Sequence, residues 1–435
     1  MKVLKFGGTS VANANNIGLV KNIVSNSKDK KNIVVVSALG GVTDLLIKAA
    51  DLASKQDATY KQVITEIEER HLSTAKELIS VKNQSSVLSK VKSELNILET
   101  LLEGAFLIGE ITAKLSDKIV SFGELLSSFI ISEYFKQEGL DAIYKDSREL
   151  IKTNDLNGNA VVNFSLTYDN ANTFFSSTKH AIVVAPGFIA SSENGNSTTL
   201  GRGGSDYTAA IYAAAVKADI LEIWTDVSGM YTANPKLVKQ AKAIPHISYE
   251  EAMELSHFGA KVLYPPTIQP VLSEGISICI KNTFEPENDG TLITKSKNEK
   301  GKTVRGISSV ENIALLSLEG SGMVGIPGIS KRFFEVLSQA EISVVLITQA
   351  SSEHSICVGI SADDIDRAIE IVNSAFEYEI ERGKINPVIP EKDLAIVALV
   401  GDNMKSHQGL SGKMFSTLGK NNVNISSIFV TSLTS

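Results

Sequence analysis

A chain of 435 residues, 43% of them hydrophobic and 21% charged, is too long for one core and predicts two or three globular domains. A net charge of -7 leaves no basic excess to recruit nucleic acid. No apolar run approaches the roughly 18 residues of a membrane span, and the first residues lack the pattern of a secretory signal. The two cysteines, Cys279 and Cys357, sit in apolar runs as small buried thiols would, so a cytoplasmic protein without a membrane anchor is expected.

The first element is a strand over Val3 to Phe6, running into Gly7-Gly8-Thr9-Ser10 with Lys5 just before it. Glycines let backbone N–H groups approach an anion, Thr9 and Ser10 add hydroxyls, and Lys5 adds a fixed charge, which suits a phosphate site. No Walker A loop is present, and a tight turn after an edge strand remains the plain alternative. A helix near Asn16 to Ser27, a strand over Asn32 to Ser37 and a helix-rich stretch from Val42 to Glu138 follow. Between the second strand and its helix lies SALGGVTD, Ser37 to Asp44, at the carboxyl end of a sheet where open α/β folds bind ligands; a helix-capping loop would read the same way.

Within the helical stretch, Ser121-Phe122-Gly123-Glu124 places a carboxylate ahead of an apolar helix, where it fits either a site or an ordinary acidic first turn. Strand-like runs recur at Ala142 to Tyr144, Ala181 to Ala185, Ile220 to Thr225 and Ile276 to Ile280. Their alternation with helical segments predicts an α/β fold with a mainly parallel central sheet. Thr198 to Asp206, TTLGRGGSD, surrounds Arg202 with glycines before a helix whose positive end points back at the loop, which reads as an anion site. WTDVSGMYTANPK from Trp224 and HFGAKVLYP from His257 complete the motifs of this first unit.

The polar stretch KSKNEKGK, Lys295 to Lys302, predicts a connector, and beyond it the chain repeats itself. An ungapped offset of 81 residues superposes Gly320 on Gly401, Gly328-Ile329-Ser330 on Gly409-Leu410-Ser411, and Phe334 on Phe415. Each copy reads as strand, glycine turn, amphipathic helix and second strand, the latter meeting at Ile342-Ser343-Val344 and Val423-Asn424-Ile425. The first copy continues through a strand at Ser355 to Ile360 and a helix at Ala362 to Phe376, a βαββαβ pattern; the second stops early, so the natural polypeptide is expected to continue past Ser435. The expected domains are 1–295, 303–385 and an incomplete 392–435.

Taken together, KFGGTS, SALGGVTD, SFGE, GRGGSD, WTDVSGMYTANPK and FGAKVLYP resemble the aspartate kinases of the amino acid kinase superfamily. The repeats resemble paired ferredoxin-like ACT regulatory domains, and ISVVLITQASSEHSI looks most like the bifunctional aspartokinase–homoserine dehydrogenases. The resemblance implies an amino acid kinase fold, with ATP-dependent phosphorylation of the β-carboxylate of L-aspartate to 4-phospho-L-aspartate. That reaction opens lysine, threonine and methionine biosynthesis.

The same resemblance implies a catalytic group of Lys5, Gly7, Gly8 and Asp206, the last orienting Lys5. It gives an aspartate pocket of Ser37, Thr43, Glu124, Phe188, Arg202, Gly203 and Ser205, with Arg202 on the α-carboxylate and Glu124 on the ammonium. The ATP side would comprise Lys5, Thr9, Ser10, Thr225, Asp226, Tyr231, Lys236, Lys261 and Val262, with Mg2+ held mainly by nucleotide phosphates and no protein ligand assigned. Gly325, Gly328, Ile347 and Gln349 match an effector site for which L-threonine is the expected inhibitor, and ACT pairing implies a homo-oligomer. Two positions depart from the family pattern: Asn234 stands where aspartate is common, and Tyr264 where histidine is common. A glutamate-type kinase and a catalytically silent amino-acid sensor are the alternatives. Retention of Lys5, Glu124, Arg202 and Lys261 argues against the sensor.

Overall fold

The computed structural model describes the chain apart from residues 28–30, 258–262, 296–302, 324–325, 350–354, 402–403, 405–406 and 429–435. Two compact units emerge, Met1–Gly306 with Val400–Ser435, and Ile307–Leu399.

The larger unit is built on an eight-stranded sheet of β1 (Lys2–Phe6), β2 (Asn32–Val36), β3 (Ala142–Tyr144), β5 (Ile182–Pro186), β8 (Ile220–Thr225), β9 (His246–Ser248), β10 (Ile278–Asn282) and β11 (Thr291–Thr294). In space the order is β3-β5-β2-β1-β8-β10-β11-β9. Every described pairing in it is parallel except β10 with β11. Strands β2 and β5 are buried at every position, as their apolar runs IVVV and IVVAP require of strands covered on both faces. A small sheet of β4 (Lys152–Thr153), β6 (Ile189–Ser192) and β7 (Ser197–Thr199) lies beside it in sequence.

Two cores follow from the alternation of side chains across the sheet. Leu4, Phe6, Val34 and Val36 pack under the long helices of the first half, whereas Val3, Ile33, Val35 and Ile223 face the helix Gly204–Ala215 and its neighbours. Because β1 and β2 are parallel and in register, Phe6 beside Val36, their carboxyl ends deliver Gly7 and Ser37 to the same edge. Edge and loop geometry there is what places the candidate site.

The smaller unit carries a four-stranded sheet in the order β13 (Val344–Gln349), β14 (Ser355–Ser361), β12 (Gly306–Glu319) and β15 (Pro390–Val400). Helices Ile329–Gln339 and Ile365–Ala375 contribute Phe333, Leu337, Ala368 and Val372 to its core. The first copy runs βαββα, and the last strand of the expected βαββαβ pattern is supplied to its sheet by β15, which is also the first strand of the second copy. The second copy forms the helix Leu410–Lys420, but no strand forms at Val423 to Ile425, where the described backbone is irregular.

Candidate active site

Lys5 is the penultimate residue of β1, on the face opposite Phe6, and Asp206 lies in the first turn of the helix Gly204–Ala215. The sheet brings them together: Lys5 Nζ meets Asp206 Oδ1 at 2.7 Å, with both side chains only slightly exposed. A cation so held has few rotamers left, and its ammonium faces a cleft of about 240 Å³. Ser37, Thr43, Glu124, Phe188, Gly203 and Ser205 line the same cleft together with Lys5 and Asp206.

Glu124 enters from an unexpected place. It lies in the middle of the long helix Ala113–Gln137, not at a helix start, which corrects the reading of an acidic first-turn residue. The side chain is 3% exposed, and its Oε2 has no hydrogen-bond partner among the described residues. Burial pushes its pKa up to about 8, against the pull of hydrogen bonding from the Ala38 backbone. Such an orphan carboxylate is poised for a cationic partner. Gly123 permits this approach, because a Cβ there would lie 2.9 Å from the Ala38 Cβ.

The loop Gly201–Gly204 is shaped by close contacts. A Cβ on Gly204 would lie 2.7 Å from Phe188 Cδ2, and one on Gly187 would lie 2.6 Å from Ser205 Cβ. Phe188 adopts φ 66°, a conformation costly for an aromatic residue, and is held there by donating its N–H to Thr208 Oγ1 (3.0 Å) and accepting from Leu200 N (2.9 Å). Arg202 does not line the cleft. It is exposed, its guanidinium 5.6 Å from the Tyr264 ring centroid.

On the expected nucleotide side, several groups are already engaged. Gly7 donates its N–H to Trp224 O (3.2 Å), so that amide is not open to a phosphate; Gly8 has no backbone partner of this kind among the described residues. Ser10 is fully buried, 2.7 Å from Thr283 Oγ1 and 3.3 Å from Trp224 O, which makes it a tie between strand ends rather than a surface donor. Thr9 is exposed, and its carbonyl accepts from Asn16 Nδ2. Thr225 and Asp226 sit at the end of β8, with Thr225 Oγ1 3.2 Å from Asp226 Oδ1. Tyr231 bridges to Ala243, and Asn234 caps its turn by accepting from Lys236 N at 3.0 Å. Lys236 is exposed; Lys261 and Val262 lie outside the described residues.

In the smaller unit, Gly328 caps the helix Ile329–Gln339 at φ 94°, and Ile347 and Gln349 are exposed on β13. Gly322 donates its N–H to Lys384 O at 2.9 Å, and a Cβ on Gly320 would meet the same oxygen. These two glycines therefore serve packing within the turn. Gly325 lies outside the described residues.

Three residues that sequence reading missed frame the cleft. Arg70 donates from Nη2 to Gly40 O at 2.5 Å, Thr208 holds Phe188, and Asp117 binds the strand end that precedes Gly201. Only Asp117 carried a signal, standing on the same helical face as Glu124.

Comparison with known proteins bears on this geometry. Residues 1–282 match the model of the amino acid kinase family, and residues 316–376 and 397–432 match an ACT domain. The chain is 34% identical over 432 residues to bifunctional aspartokinase/homoserine dehydrogenase 1, chloroplastic, of Arabidopsis thaliana, covering 98% of this chain and 47% of the relative. It thus spans about half the length of the curated bifunctional relatives it matches. It is 31% identical to lysine-sensitive aspartokinase 3 of Escherichia coli K12, over 97% of this chain and 91% of that one. The crystal structure of E. coli aspartokinase III with aspartate and ADP superposes with a TM-score of 0.82 at 30% identity, covering 97% of this chain and 92% of that chain.

Proposed function

Because this chain belongs to the aspartokinases of the amino acid kinase family, we propose that it transfers the γ-phosphoryl group of ATP to the β-carboxylate of L-aspartate. The observation that carries this reading is one cleft holding a clamped cation, Lys5 with Asp206, and a buried carboxyl, Glu124, one of whose oxygens has no hydrogen-bond partner among the described residues.

Aspartate brings its own nucleophile. A side-chain carboxylate with an ordinary pKa near 3.9 is ionised at neutral pH, so no general base is required, and the site must align it and neutralise charge. Lys5 would face the transferring phosphoryl group, holding a positive charge where negative charge gathers, and Asp206 keeps it in place. Gly8 offers the adjoining amide. Glu124 would take the substrate ammonium, gaining the partner its buried oxygen lacks. Ser37, Thr43 and Ser205 supply hydroxyls and Phe188 closes one wall, and the resemblance assigns Arg202, exposed at the glycine loop outside the cleft lining, to the α-carboxylate. Thr225, Asp226, Tyr231, Lys236, Lys261 and Val262 remain the assigned nucleotide side. Magnesium would enter with the ATP phosphates, where it offsets their charge.

We assign catalysis to residues 1–295, an ACT domain to 303–385 and part of a second to 392–435. Feedback control by L-threonine at Gly325, Gly328, Ile347 and Gln349, assembly into a homo-oligomer and a cytoplasmic location complete the proposal. No helix among the described residues is long and apolar enough to cross a membrane. Coupled detection of ADP with ATP, magnesium and either L-aspartate or L-glutamate tests it. Turnover on aspartate well above that on glutamate is expected, and the reverse preference would assign the cleft to the longer substrate.

A further inference from the structure

Resting on the reading that the cleft binds aspartate, we propose that Asp117 is a positioning residue for the aspartate subsite, anchoring the root of the Gly201–Gly204 loop to the helix that carries Glu124. Asp117 and Glu124 are seven residues apart in the helix Ala113–Gln137, two turns along nearly the same face. Asp117 is 3% exposed, and a carboxylate so buried must be fully hydrogen-bonded. It accepts from Asn157 Nδ2 (2.8 Å), Gly158 N (3.0 Å), Thr199 N (3.2 Å) and Thr199 Oγ1 (2.6 Å).

Those donors come from two segments that meet beside Gly201, a lining residue of the cleft. Thr199 ends β7, two residues before Gly201, and the turn at residues 157–159 abuts Gly201, where a Cβ would lie 2.6 Å from Asn159 Oδ1. One buried anion therefore fixes the turn and the strand end at once, each through charge-assisted hydrogen bonds. Neither Asp117 nor its donors line the cleft, so the effect is indirect. The anchor sets the separation between Glu124, on its helix, and Arg202 in the loop with Ser205 at the start of the next helix, and Phe188, tied to the loop where its O accepts from Leu200 N at 2.9 Å. Gly8 hangs from β1, which the anchor does not reach, whereas Lys5 extends from β1 to Asp206 on the helix Gly204–Ala215.

Thr199→Val removes the shortest of these bonds while keeping the side chain's shape, and Asp117→Asn turns one acceptor oxygen into a donor facing donors. Each variant is expected to raise KM for aspartate about tenfold or more while KM for ATP stays within about twofold. Thr199→Ser, which restores the hydroxyl, is expected to return KM for aspartate toward wild type, and the double variant to be no worse than Asp117→Asn alone. Hydrogen exchange of the substrate-free protein should quicken at residues 157–158 and 199–204 in both variants, a readout independent of substrate identity. If Asp117→Asn fails to fold, Thr199→Val and Thr199→Ser decide the matter. Unchanged KM for aspartate and unchanged exchange in Thr199→Val would overturn the assignment, as would equal rises in both KM values. Faster exchange in a protein that turns over glutamate, with the KM split then seen on glutamate, would sustain the anchor and sink only the substrate reading.

Discussion

Glu124 is the residue at which burial and function pull hardest against each other. With its pKa raised to about 8 from an ordinary 4.5, the folded protein without substrate holds a proton there at neutral pH that the unfolded chain has already released. The folded state thus binds more protons than the unfolded one between about pH 4.5 and 8, and the stability this contributes, complete below 4.5, is lost as pH rises through 8. A substrate ammonium placed against the same oxygen favours the ionised form, so binding aspartate near pH 7 should expel most of a proton. Calorimetric titration in buffers of differing ionisation enthalpy measures this directly. Glu124→Gln should abolish the release, bind aspartate more weakly and lose less Tm on going from about pH 5 to pH 9. Proton-neutral binding by the wild type would remove Glu124 from the ammonium.

The sequence made such residues visible as chemistry but not as geometry. Lys5 is legible because a strand end fixes its direction, and Asp206 because it opens a helix behind a glycine loop; their 2.7 Å contact depends on sheet order and follows from neither segment alone. Ser10 and the Gly7 amide illustrate the complementary limit. Local pattern shows a donor and cannot show that Thr283 and Trp224 arrive from far along the chain to occupy it.

At the scale of elements, the helix Ala113–Gln137 determines the site, presenting Asp117 to one loop and Glu124 to the cleft. Its boundary was hidden because Gly123 reads as a helix breaker, whereas its role is close packing: a Cβ would stand 2.9 Å from Ala38 and 3.2 Å from Leu46 Cδ1. Gly123→Ala sets two terms against each other. Better helix propensity gains about 0.8 to 1.0 kcal/mol, whereas overpacking against a buried loop costs about 1 to 3 kcal/mol. Packing should win, giving a lower Tm and a higher KM for aspartate as the helix moves off the Ser37–Thr43 loop; a stabilised variant with normal KM would show that the helix can yield without disturbing the site. The central place of β5, by contrast, was legible, since the run Ala181 to Ala185 is apolar throughout and the strand is buried at every position. The second repeat's missing strand was not legible. Its pattern matches the first copy, but pairing needs a neighbouring edge that no pattern within the segment specifies.

For the whole molecule, the proposal couples a kinase unit to a regulatory one, and coupling of this kind has to be reciprocal. If L-threonine is the effector, Gln349→Ala, at an exposed strand end, should weaken inhibition by threonine while leaving uninhibited turnover near wild type. Inhibition by lysine with no response to threonine would contradict that choice and favour the behaviour named for the E. coli relative.

The central claim is that this cleft moves a phosphoryl group from ATP to a carboxylate, with Lys5 bearing the charge. Trapping the acyl phosphate with hydroxylamine reads that step most directly, run with ATP, magnesium and L-aspartate on wild type and Lys5→Met together. The account predicts hydroxamate from the wild type and at least about a 100-fold lower rate from Lys5→Met, with aspartate binding less affected. ADP formation without hydroxamate, or undiminished hydroxamate from Lys5→Met, would contradict it.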